Sequence, residues 1–142
     1  MRYRELIYRI WIVLIFGFIV GCSDSPFKDE LVVELQENKP THEWKAVANK
    51  GGWHYSPSVL QETDNILDAY IVSLAKDKAI KKIDNTLEYV ETAVVALNEL
   101  SRDNGYFIET MEREQLADFI QGSALRVGFS YKGDITERWR EW

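Results

Sequence analysis

The sequence predicts a mainly α, small helical bundle-like single domain placed behind an export signal. Three observations carry that expectation. Apolar residues recur at helical spacing through most of the chain after residue 26. Serine–proline pairs and capping residues sit where those stripes begin. The alternation of a half-buried strand is missing, with one short extended connector expected near Tyr106-Phe107-Ile108.

The first residues belong to a different regime. Arg2, Arg4 and Arg9, offset by Glu5, precede Ile10 to Val20, an unbroken apolar run of eleven residues. A spanning helix needs about 20 such residues, whereas the apolar core of a signal peptide needs roughly 7–15. Residues 1–21 therefore read as a signal peptide that is removed. No A-x-A site follows, but Ile19-Val20-Gly21-Cys22 resembles the bacterial lipobox, with Ile19 standing where leucine is commonest. The resemblance implies a diacylglyceryl thioether on Cys22 and cleavage on its amino side. Cys22 is the sole cysteine, so an internal disulfide is excluded and the domain stands on its core. Two or three acyl chains, at about 0.8 kcal/mol per buried CH₂, anchor a protein stably. Ser23, in the position where aspartate favours inner-membrane retention, implies by analogy the periplasmic face of the outer membrane.

Residues 22–26 are then a short tether, and 27–142 a single helical domain. Without Arg2, Arg4, Arg9 and Glu5, a net +2, the charge falls from -6 to -8. Such acidity argues against nucleic acid and against a surface that hugs anionic lipid heads, and favours solubility or a basic protein partner.

Ser25-Pro26 offers an N-cap with proline at the first helical position, and Phe27, Leu31 and Leu35 follow at four-residue spacing; the rival is a strand around Leu31 to Val33. Asn38-Lys39-Pro40 ends that element. The stretch to Ser56 reads as a loop with at most one helical turn. Its aromatic residues cover the edge of the core or make a binding surface, which marks Trp44, Trp53, His54 and Tyr55 as the candidate contact residues. Ser56-Pro57 starts the next helix, whose stripe is Leu60, Leu67, Tyr70, Ile71 and Leu74. A second stripe, Ile80, Ile83, Leu87, Val90, Val94 and Leu97, is out of phase with the first, so either one long helix or a hairpin turning near Asp84 fills 58–104. Asn85 to Glu88 has capping-box spacing, with Asn98 and Glu99 expected away from the core. Thr110 reads as the N-cap of a third long helix, with Leu116, Phe119, Ile120, Ala124 and Val127 inward and Gly128 at its end. Asp134 to Glu137 suggests a last short helix that docks Ile135, Trp139 and Trp142.

Ile108 to Glu114 and Asp134 to Arg140 are similar to a pattern in small uncharacterised bacterial proteins, which implies no activity. The two histidines, His42 and His54, lie twelve residues apart, outside any zinc-ligand spacing. No serine-nucleophile context occurs, and Glu88, Glu91, Glu99, Glu112 and Glu114 are expected on solvated helix faces rather than in the apolar pocket that a glycosidase acid needs. No cofactor and no metal are expected. The chain is thus expected to be a lipid-anchored protein-binding module, of which an immunity-type inhibitor of a secreted toxin is one form. An accessory structural lipoprotein of the envelope is the alternative, and a peptidoglycan-acting enzyme the third.

Overall fold

The computed structural model describes residues 29–51 and 55–142, and these form five α-helices: α1 (Glu30–Glu37), α2 (Thr41–Asn49), α3 (Pro57–Ala79), α4 (Thr86–Asp103) and α5 (Thr110–Arg126). No strand occurs among the described residues. The expected signal peptide, Cys22, Ser23 and the Ser25-Pro26 pair lie outside them, as do Trp53 and His54. The helix carrying Leu31 and Leu35 begins at Glu30, where Asp29 caps it: the Asp29 carboxylate accepts the Leu31 N–H at 3.1 Å.

One expected loop is a helix. Residues 41–49 form α2, with Pro40 before its first turn, where a missing N–H costs nothing. Burial of Thr41 and Trp44 on one face explains it, since two anchored side chains one turn apart hold a segment whose own periodicity is poor.

α3 starts where the Ser56-Pro57 pair predicts, with Ser56 Oγ accepting the Val59 N–H at 3.3 Å. Leu67, Ile71 and Leu74 are 1% exposed or less and face α4, whose Val90, Val94 and Leu97 are fully buried. The two helices are the antiparallel arms of a hairpin, not one rod. The reversal is stapled by Asp77: its carboxylate accepts from Asn85 Nδ2 at 2.9 Å and from the Tyr89 hydroxyl at 2.7 Å. Asn85 therefore serves the staple and makes no side-chain cap on α4, contrary to the capping-box expectation. The shift of phase between the two stripes is this turn. Ile80, placed on the α4 stripe by spacing, is 59% exposed because it lies in the turn itself.

α5 lies across the hairpin, with Leu116, Ile120 and Ala124 in the core and Gly128 in the left-handed conformation (φ 94°) that ends it. Its cap is Glu109 rather than Thr110. The 106–108 connector is irregular, with Tyr106 at φ 58°, and Ile108 is buried. The last segment is a set of hydrogen-bonded turns, not a helix: Asp134 Oδ1 takes both the N–H and the hydroxyl of Thr136, and Trp139 N–H and Arg140 N–H both donate to Thr136 O at 3.1 Å. Its side chains still dock as expected, Ile135 in the core and Trp139 and Trp142 packed against it. Asn98, expected outward, is 6% exposed and holds the terminus, donating to Trp139 O at 2.8 Å and accepting from Glu141 N–H at 3.1 Å.

Leu97 has no exposed surface and sits in the centre of the hairpin. Leu97→Ala is expected to destabilise the chain from Ser23 onwards by about 2–5 kcal/mol in urea unfolding. An unchanged midpoint would contradict its placement.

Candidate functional site

α2 is held down by charge before it is held down by rings. Asp64, 6% exposed, projects from α3 into the space beneath α2. It accepts the Thr41 hydroxyl and the Lys45 ammonium, and Lys39 Nζ approaches at 3.2 Å. Lys39 in turn reaches Asp68 at 2.7 Å. Burial pushes the Asp64 carboxyl up, but the bonds from Lys45, Thr41 and Lys39 outweigh it and hold the group below the ordinary carboxylate range. Nothing in the spacing argument singled out these residues. A signal was present, because Asp64 falls four residues after Leu60 and three before Leu67, on the apolar stripe of α3.

Beside this charge cluster lie the rings. Trp44 is 2% exposed and belongs to the core; its indole N–H donates to Gln115 Oε1 at 2.6 Å, and Gln115 Nε2 donates to Glu43 at 2.9 Å. Tyr55 stacks on Trp44 (centroids 5.4 Å apart, planes at 29°) and meets Phe107 edge-on at 5.6 Å. Of the four candidate contact residues, then, Trp44 is interior, Tyr55 is half-buried, and Trp53 and His54 lie outside the described residues. Tyr55 borders an open hollow of about 520 Å³ shared with Lys45, Asn49 and Gln61.

Beneath this cluster Glu112 is completely buried, against the expectation of a solvated face. The reason is local: as the third residue of α5 it accepts the Glu109 N–H at 3.0 Å, half of a capping box. Burial, together with the adjacent Glu112 carboxylate, raises the Tyr55 phenol far above its usual range. With no exposed surface, Glu112 cannot meet a substrate as it stands. Glu88, Glu91, Glu99 and Glu114 are exposed as expected.

A recess bounded by charged side chains lies between α1, α2 and α5, a groove of about 490 Å³. Leu35 and Phe119 supply its apolar part, and Glu34, Glu43 and Asp118 line it, with Arg126 at one end ion-paired to Glu34. Among the described residues no group of three His, Cys, Asp or Glu side chains is placed to hold a metal ion, and no helix is long and apolar enough to cross a membrane. No protein family, curated protein or solved structure matches the chain.

The Asp64 carboxyl titrates below its unfolded value, so it contributes stability above the ordinary carboxylate pKa that is lost as pH falls through the folded one. Asp64→Asn is expected to cost on the order of 2 kcal/mol at neutral pH. It should also flatten the acid limb of a stability profile below about pH 4. A variant with the parent's acid slope would contradict the hub.

Proposed function

We propose that the chain is an exported lipoprotein, anchored through Cys22 with residues 1–21 removed, whose helical domain works by binding a protein at the outer-membrane face of the periplasm. The observation that carries the binding reading is the α1–α2–α5 groove. It is open, its apolar patch is formed by Leu35 and Phe119, and three carboxylates line it. A groove of that make-up suits a basic partner: charge speeds the encounter, and an apolar anchor seated on Phe119 supplies the desolvated contact that charge alone does not. The formal charge of -8 after cleavage acts in the same direction. An immunity-type inhibitor of a secreted toxin is the form of this function that matches the size, the acidity and the placement.

Cys22→Ser is expected to abolish incorporation of labelled palmitate and to leave uncleaved precursor; unchanged labelling would contradict the anchor. For the groove, the chain from Ser23 onwards is used to capture protein from envelope extracts. Asp118→Lys, on an exposed position, should reduce capture severalfold at low salt and little at raised salt. Cleavage of purified peptidoglycan with no partner recovered would instead make the protein an enzyme.

A further inference from the structure

The acidity of the chain as a whole conceals a lysine-rich segment. Lys76, Lys78, Lys81 and Lys82 crowd the last turn of α3 and the turn after it, and all four are exposed. The carboxylates of that segment are Asp77, which is buried under Asn85 and Tyr89, and the exposed Asp84. The C-terminus of α5 joins them, since Lys78 Nζ donates to Arg126 O at 3.3 Å. Two large apolar side chains stand out of the same end, Ile80 at 59% exposed and Leu125 at 54%.

The direction of α1 shows what this end faces. Just past its C-terminus, Lys39 pairs with Asp64 and Asp68 in the first half of α3. Near its middle, Glu34 pairs with Arg126, which lies beside the α3 C-terminus. α1 therefore runs antiparallel to α3, and its first residue points to the lysine end. From Glu34 back to Asp29 is five residues, about 7.5 Å along a helix. From Asp29 to Cys22 is seven residues, a reach of at most about 25 Å. α3, at 23 residues, is about 35 Å long. A tether shorter than the bundle and leaving from one end keeps that end at the membrane.

We propose that the α3–α5 end of the bundle, with Lys78, Lys81, Lys82 and Arg126 around Ile80 and Leu125, docks on anionic lipid headgroups. The pattern is that of a peripheral membrane surface: cations attracted by the leaflet's negative potential, within a Debye length of it, and apolar tips entering the interface. Exposed acids share this end, Asp84 and Glu88 near the lysines and Asp29 and Glu30 at the start of α1, while Glu34 is paired with Arg126, so the attraction is that of the local lysine segment and not of a net positive face. With this end inward, the acidic groove flanks the bundle instead of being pressed on the bilayer. The inference rests on the Cys22 anchor for its direction and on the charge pattern for its chemistry.

The test is lysine footprinting of the full chain, processed in cells and reconstituted into vesicles of phosphatidylcholine alone or with phosphatidylglycerol. Amine labelling of Lys78, Lys81 and Lys82 should fall severalfold on the phosphatidylglycerol vesicles and return at raised salt, with Lys50, at the end of α2, unchanged. Lys81→Glu with Lys82→Glu, both exposed, should abolish the lipid dependence. Equal labelling of Lys50 and Lys81 on phosphatidylglycerol vesicles would overturn the docking surface. The same spectra report the mass of the Cys22 peptide, so an unmodified cysteine sinks the anchor separately. Unlipidated chain mixed with phosphatidylglycerol vesicles that still protects these lysines would uphold the surface without the anchor.

Discussion

Asp64 is the group on which the arrangement of the short helices depends. α1 and α2 together span 8 and 9 residues, lengths at which an isolated helix is unstable in water, so tertiary contacts must hold them. Leu31, Leu35 and Trp44 supply apolar contact, but apolar contact is not directional. The directional part is one carboxylate on α3 that gathers Lys39, Thr41 and Lys45 from the α1–α2 corner. A buried ion cluster adds little net stability over a hydrophobic one, yet removing one member leaves a buried charge uncompensated. The cluster thereby makes the position of α2 specific rather than merely favourable.

The groove and the course of α1 both follow from that position. The groove lies between α2 and α5, which Trp44 and Gln115 join, with half-buried Phe119 over the buried Leu35 between carboxylates. The antiparallel run of α1 is held past its C-terminus by Lys39 and near its middle by the Glu34–Arg126 pair. Charge is divided unevenly, with carboxylates along the groove and four exposed lysines in the last turn of α3 and the turn after it, a division that a single net charge averages over.

The long helices were legible in the sequence and the polar interior was not. Stripes such as Val90, Val94 and Leu97 report burial directly, because apolar side chains at 3.6-residue spacing have few other uses. The break in phase before Ile80 marked the hairpin, although the staple that makes it, Asp77 to Asn85 and Tyr89, cannot be inferred from spacing. α2 was missed because its stability comes from Asp64 and Gln115, 19 and 71 residues away from their α2 partners Lys45 and Trp44. Asn98 and Glu112 share one cause of error. Each is a polar side chain buried to satisfy a specific partner, and a reading that sends polar residues to the surface places both wrongly, just as it passes over Asp64. Of the proposed contact residues, Trp44 proves to be interior and Tyr55 borders an open hollow. Asp118 of the groove was not singled out, and Phe119, expected inward, is only half-buried and borders the groove, since the residues across it come from helices far away in sequence.

The most direct test of the Asp64 hub is residue-level hydrogen exchange of Asp64→Asn against the parent chain. The account predicts that amides of α1 and α2 lose protection while those in the centres of α3 and α4 keep it, because the hairpin core does not depend on the ion cluster. Unchanged protection in α1 and α2, or an equal loss throughout the five helices, would contradict it.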